Sequence, residues 1–293
     1  GLSIASYMDS YERVFYLDKQ TKDQNRALIA SRLRGELCKR YGIQGYQGTN
    51  VNACSASLMA VGDAFRLLRD GYQDAIVTGG FDRSIGTFND FVFYAMGAFA
   101  EDMSDPEKYL RAFDSCRAGT CSGDGGAFFV LETEESALRR GATPLLEVVG
   151  YHTSCYGDDI VKPSRLGIQK LMSNLIKQTG WEPHEIDHIN CHATGTPLGD
   201  PIEMMAIKTV LGTKKKDLLH DKFATPENWD LSKLKNTTLN SLKGYFGHMV
   251  VSAGASELVM TMRAMLDNVV LATAHLEHPI DPDINFCLGK HHQ

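Results

Sequence analysis

Asn52-Ala53-Cys54-Ser55-Ala56-Ser57 opens a helical period that leads, within one turn, to the buried strand Asp74-Ala75-Ile76-Val77-Thr78-Gly79-Gly80. This stretch decides the fold. From Met59 to Arg69 the apolar residues Val61, Phe65 and Leu68, with Leu58 ahead of them, fall on one stripe, while Asp63, Arg66 and Asp70 lie off it. Gly71 stands where a C-terminal cap belongs. The unbroken apolar run that follows, ending in two glycines, reads as a short strand closed by a tight turn. A cysteine at the head of such a helix faces amide N–H groups that have no partner inside the helix, a setting that favours a reactive thiolate. Its small neighbours let a substrate approach the sulfur and permit a strained elbow.

The same alternation continues outward. Gly126 to Leu131 reads as a second buried strand, followed by a helix from Glu134 to Arg140 capped by Gly141. Leu145 to Tyr151, Ile186 to Cys191, Thr237 to Ser241 and Val269 to Ala274 have strand character. Between them lie helical periods at Ile168–Gln178, with Leu171, Leu175 and Ile176 inward, at Ile202–Leu211 and at Ala253–Asp267. Short buried strands alternating with helices predict an α/β architecture with parallel sheet content. The polar piece from Gly212 to Lys235 breaks the pattern and reads as a surface insertion, its Lys214-Lys215-Lys216 run a solvated loop.

Composition narrows the function class. With 293 residues, 43% of them hydrophobic, the chain can bury one large core or two ordinary ones. The net charge of −6, with no basic stripe, argues against nucleic acid as the main partner. No apolar run reaches the roughly 18 residues that a membrane span requires. The seven cysteines, Cys38, Cys54, Cys116, Cys121, Cys155, Cys191 and Cys287, are odd in number and scattered. That usage fits reduced thiols in the cytoplasm or an organelle matrix, and any targeting segment is not in this chain.

Two further motifs follow Cys54 in order: Cys191-His192-Ala193-Thr194-Gly195-Thr196-Pro197-Leu198-Gly199-Asp200 and Ser241-Leu242-Lys243-Gly244-Tyr245-Phe246-Gly247-His248. Each sets a histidine in a Gly-rich turn. His192 comes just past a strand, at the carboxyl edge where α/β proteins place ligands, and Asp200-Pro201 suits the start of a helix. A thiol with two imidazoles can take up an acyl group and stabilise a developing enolate. His184, His188, Cys191 and His192 also cluster in sequence, but along a strand Cys191 and His192 point to opposite faces, so no metal site is expected.

The ordered set, from about Asn52 to Phe286, resembles the β-ketoacyl synthases, the condensing enzymes of fatty-acid and polyketide synthesis. The resemblance implies a thiolase-like fold of two βαβαβ halves in α-β-α-β-α layers. Residues 1–140 would form the first half, carrying the nucleophile, and 141–293 the second, carrying both histidines. It implies Cys54, His192 and His248 as catalytic residues, with Lys243, Glu203 and Asp200 supporting them. No cofactor is implied, because substrates arrive as thioesters on the phosphopantetheine of an acyl carrier protein. A homodimer is implied as well.

Some features depart from the family pattern. The fold's opening strand and helix, and the Gly-Phe-Gly-Gly loop near its end, are expected to lie outside this chain. Ala193 and Phe246 replace the usual small Gly and Thr, and Arg111 to Gly119 matches only in part. Phe88, Phe91, Phe93 and Met96 are candidates for an acyl pocket or for plain core, and Arg66 and Arg69 for carrier docking or for a solvated helix face. Two other readings stay open: a synthase-derived subunit that binds carrier or stabilises an assembly without condensing, and a thiolase-fold enzyme that joins acyl units without decarboxylation. The pair of histidines, in place of a second cysteine, argues against the latter.

Overall fold

The apolar run at Ala75 becomes the strand around which the N-terminal part of the chain assembles. The computed structural model describes residues 1–5, 31–85, 88–100, 105, 108–157, 159, 162–223, 225, 230, 232 and 234–289. Contacts group the chain into two compact units of interleaved segments. The first holds Gly1–Phe93, Ser122–Val148 and His248–Met262, and the second Tyr94–Cys121, Val149–Gly247 and Arg263–Gln293. These units cut across the division at residue 140, and they group His248 with Cys54.

In the first unit, β1 (Leu2–Ala5), β2 (Gln47–Asn50), β3 (Ala75–Asp82) and β4 (Gly125–Glu132) form a sheet in the order β2-β1-β3-β4. β1 is parallel to both neighbours, whereas β4 runs antiparallel to β3 with Gly79 opposite Phe128. Helix α1 (Ser31–Tyr41) precedes β2, and α2 (Ala56–Arg69) links β2 to β3. The inner face of α2 is made of Ala56, Ala60, Val61, Ala64 and Leu68, while Leu58 is 44% exposed. The stripe of large residues therefore marks the helix correctly but only part of its buried face. Small residues win that face because helix and sheet approach closely: a Cβ on Gly80 would lie 2.9 Å from that of Ser57. Beyond them Leu68 and Ile76 close a cluster with Ala64, and burying Ile76 contributes about 1.5–3 kcal/mol. Gly71, at φ 75°, ends the helix in a Schellman arrangement, with Tyr72 N–H donating to Leu67 O and Gly71 N–H to Leu68 O. Helix α3 (Phe88–Ala95) follows β3, and α4 (Glu134–Arg139) follows β4 with Thr133 as its cap.

The second unit contains helix α5 (Arg165–Thr179), β5 (His188–Asn190), α6 (Gly199–Leu211), α7 (Lys215–Leu218), β6 (Thr238–Asn240) and α8 (Lys243–Phe246). β5 and β6 pair in parallel, with His188 opposite Thr238. Their core joins Phe113, Cys191, Met204, Ile207, Leu239 and Phe286. The last long helix, α9 (Ala253–Leu266), begins in the first unit.

Three expectations change. Residues 145–151 enter no ladder among the described residues, and Leu145 is 65% exposed, because apolar patterning supplies a propensity but a strand also needs a partner backbone. Val269 to Ala274 is likewise no strand, its Thr273 making only an isolated bridge to Leu288. The polar piece from Gly212 is anchored rather than a free surface insertion: Leu218 and Leu234 are buried, and the Ser173 hydroxyl donates to Leu218 O at 3.1 Å. No helix among the described residues is long and apolar enough to cross a membrane.

Candidate active site

β2 passes through Asn52 into a single 3-10 turn, Ala53–Ser55, and then directly into α2. Ala53 has φ 44°, a left-handed conformation that a non-glycine residue adopts only under strain. The turn is held by Ser55, whose N–H and hydroxyl both donate to Asn52 O, at 3.2 and 2.8 Å. Cys54 thus sits half-buried on a strand–turn–helix elbow. His248 Nε2 lies 3.0 Å from Cys54 Sγ, and the histidine is only 2% exposed. Phe93 tilts toward the imidazole, with ring centroids 6.0 Å apart. Ala5, Ala56, Val250 and Val251 form the apolar cluster against which Cys54 and Phe93 pack. A thiol in such a place faces an imidazole able to take its proton or to donate to an oxygen bound beside the sulfur.

Of the four pocket candidates, Phe93 therefore lies at the thiol. Phe91 and Met96 are 65% and 45% exposed, and the side chain of Phe88 is outside the described residues. Arg69 pairs with Asp70 at 2.8 Å on an exposed face of α2.

In the second unit the His192 turn folds around the first turn of α6. Glu203 accepts the N–H groups of His192 and Ala193, both at 2.7 Å. Asp200, fully buried, accepts Phe113 N–H at 2.8 Å and Gly195 N–H at 3.1 Å. Two carboxylates thus organise four amides, and the N-terminal end of a helix suits their charge. Glu203 supports His192 through its backbone. Ser241 adds a tie from the end of β6, its hydroxyl donating to Ala193 O at 2.9 Å. Burial first, with the Glu203 charge beside it, pushes the Asp200 carboxyl up to about 6, against the amides of Phe113 and Gly195 and the Arg117 guanidinium. Burial also raises Glu203, opposed by its two amides and by the Lys243 ammonium.

His192 keeps solvent-accessible surface while dense protein surrounds it, and burial, with the Lys243 ammonium second, lowers it to about 3. The direction decides its chemistry: at neutral pH it is an uncharged imidazole, a hydrogen-bond donor through one nitrogen only. Lys243, 1% exposed, is the first residue of α8. Cys191 sits in the core and His188 hydrogen-bonds Asn240 at 2.9 Å, so among the described residues His184, His188, Cys191 and His192 do not gather as metal ligands. Sequence patterning singles out neither Ser241 nor Phe113, whose roles rest on contacts made far along the chain.

Residues 1–137 match the family model for the β-ketoacyl synthase N-terminal domain, and residues 145–277 match that for its C-terminal domain. The chain is 32% identical over 267 residues to 3-oxoacyl-[acyl-carrier-protein] synthase 2 of Synechocystis sp., covering 90% of this chain and 59% of that protein. It is 32% identical over 258 residues to the mitochondrial 3-oxoacyl-[acyl-carrier-protein] synthase of Arabidopsis thaliana, covering 87% of this chain and 52% of that one. The chain therefore spans little more than half the length of these relatives. Among solved structures, a ketosynthase in complex with its type II PKS acyl-carrier protein matches with a TM-score of 0.85, over 99% of this chain and 71% of that one. Its 22% identity makes that a likeness of fold, the thiolase-like fold of the ketosynthases. Two consecutive domain models of one family, matched by a chain whose cysteine elbow holds a histidine at the sulfur, make this chain a member of the β-ketoacyl synthase family.

Proposed function

We propose that this chain carries the condensing site of a 3-oxoacyl-[acyl-carrier-protein] synthase, an acyltransferase that lengthens an acyl chain by two carbons. The observation that carries the reading is the 3.0 Å approach of His248 Nε2 to Cys54 Sγ on a strained elbow. Cys54 attacks an acyl thioester, the acyl group passes to sulfur, and the carrier thiol leaves with the proton. A malonyl thioester then binds, and His192 and His248 donate hydrogen bonds to its thioester oxygen. Loss of carbon dioxide leaves an enolate whose charge those donors stabilise. The enolate carbon attacks the acyl-Cys54 carbonyl, the C–S bond breaks, and a β-ketoacyl thioester departs.

The neutral state of His192 supports its part as a donor rather than as a fixed cation. Glu203, Asp200 and Lys243 act behind it, the two carboxylates by holding its turn. The thioester is already activated, so the scheme needs no resident cofactor. An acyl carrier protein is the proposed partner, in keeping with the names of the relatives and the complex of the structural neighbour. We place the reaction in the cytoplasm or an organelle matrix, and expect a homodimer.

The test is a two-stage mass assay on the longest natural form of the chain. Medium-chain acyl carrier is offered first, then malonyl carrier. Mass added at Cys54, followed by release of a chain two carbons longer, supports the reading. A folded protein whose Cys54 never loads overturns it in favour of a non-condensing, carrier-binding subunit.

A further inference from the structure

The turn that follows His248 is strained and is held from two sides. Val250 has φ 41°, a conformation that crowds a β-branched side chain severely and persists only where surroundings enforce it. On one side the chain entering β4 fixes the turn: Gly123 N–H donates to His248 O at 3.0 Å, and the Ser252 hydroxyl to Gly125 O at 2.8 Å. On the other side stands Asp82, the last residue of β3 and 7% exposed. Its Oδ2 accepts Val251 N–H at 3.3 Å, immediately beyond the strained residue, and the Ser84 hydroxyl at 3.1 Å. Its Oδ1 accepts Arg83 N–H at 2.9 Å. Val250 and Val251 are themselves part of the cluster that packs Cys54.

We propose that Asp82 is a positioning residue that holds the His248 imidazole against the Cys54 sulfur by gripping the peptide after Val250. Without an acceptor at this point the Val251 amide is a buried donor with its partner removed, and the turn gains most by relaxing its left-handed residue. Relaxation there swings the backbone two residues from His248. A neutral acceptor suffices for the grip, and burial, the first influence on this carboxyl, raises it toward the neutral form, with the Asp124 charge acting the same way. The inference rests on the Cys54–His248 contact and on no step of the condensing reaction, although it deepens the reading of the same site.

The test is the rate of Cys54 alkylation by iodoacetamide near pH 7, followed by peptide mass. Exposed Cys116 serves as a reference thiol, and buried Cys38, Cys191 and Cys287 report on folding. Asp82→Ala should slow Cys54 roughly five- to tenfold, as expected when one hydrogen bond near the thiol is lost, with Cys116 unchanged and the buried thiols protected. In a His248→Ala background the same substitution should have no further effect, since the histidine it acts through is gone. Asp82→Asn, which keeps one oxygen for Val251, should stay within about twofold of the native rate. An undiminished rate in Asp82→Ala, or an equal slowing in the His248→Ala background, overturns the proposal. Should Asp82→Ala expose the buried thiols, Ser84→Ala decides: it frees Oδ2 to rotate and should slow Cys54 about twofold only while His248 is present. Equal rates in that variant also overturn the proposal. Alkylation needs no acyl substrate, so this result stands or falls apart from the condensing assay.

Discussion

Replacing Asp200 with Asn should flatten the acid side of the chain's stability profile. Asp200 is fully buried and its carboxyl is raised from 3.8 to about 6, burial being the main cause. In the unfolded chain it titrates near its ordinary value. Between those two pH values the folded state binds the extra proton, so stability falls as pH rises through the window, by at most about 1.4 kcal/mol per pH unit. The gap of about two pH units corresponds to ~3 kcal/mol, present below pH 4 and lost above pH 6. Asn carries no charge and loses this dependence. It also turns an NH2 group toward one of the two amides, Phe113 or Gly195, that the carboxylate accepts, a cost of about 1–3 kcal/mol that does not vary with pH. At pH 7.5 the ~3 kcal/mol relief offsets that cost. At pH 4.5 about a third of that dependence is already lost from the native chain, so Asp200→Asn, measured against the native chain, should be about 2 kcal/mol less stable than it is at pH 7.5. Relief of the neighbouring Glu203, which repels Asp200, adds to the change in the same direction. Urea unfolding at half-unit pH steps would measure it, with circular dichroism and tryptophan fluorescence required to coincide because the chain has two compact units. A stability difference between the two proteins that stays constant within about 0.5 kcal/mol from pH 4.5 to 7.5 would refute the assignment of that proton to Asp200.

Other outcomes follow from the same contacts. His192→Ala should leave acyl loading of Cys54 intact while condensation slows about 10²–10³-fold, the usual cost of one lost oxyanion donor; single-turnover mass assays separate the steps. Because His192 is held at about 3, its protonation should add no limb to the condensation rate between pH 5 and 8, which a pH–rate profile would reveal. Lys208, 6% exposed, pairs with Asp281 at 2.6 Å; Lys208→Ala should cost about 3 kcal/mol by stranding that carboxylate, read by denaturant unfolding. Gly80→Ala places a methyl 2.9 Å from Ser57 Cβ and 3.2 Å from Ala5 Cβ, so α2 must lift from the sheet. A loss of about 1–3 kcal/mol is expected, together with altered Cys54 alkylation.

The parts of the fold legible in the sequence are those with local causes. Period and cap place α2 and its Schellman end, and the apolar runs place β3 and β4 to within two residues. What is not legible depends on partners. Leu145 to Tyr151 carries the composition of a strand without a described backbone beside it, and a polar segment such as Gly212–Lys235 can hide the two leucines that anchor it. The buried face of α2 departs from the stripe of large residues for a related reason: size marks which residues can fill a core, whereas a close helix–sheet approach selects Ala56, Ala60 and Ala64.

The site divides along the same line. Cys54, His192 and His248 stand out in sequence as candidates because the proposed chemistry needs those residue types at turns that small residues announce. Glu203 and Asp200 enter as supports through the resemblance alone, since in sequence a carboxylate looks the same whether it grips an imidazole, an ammonium or a peptide. The resemblance implies Glu203 as a support of the histidines, and its two oxygens accept the amides of His192 and Ala193. Asp82 sits at the end of an apolar strand, where a charge would ordinarily mark the way out to solvent, and instead it is buried against Val251, 169 residues away in sequence. In both cases a buried carboxylate fixes backbone near a candidate catalytic histidine. Rigidity placed in the peptide, at Val250 and in the His192 turn, allows each ring to keep the hydrogen-bonding capacity that acyl transfer would use.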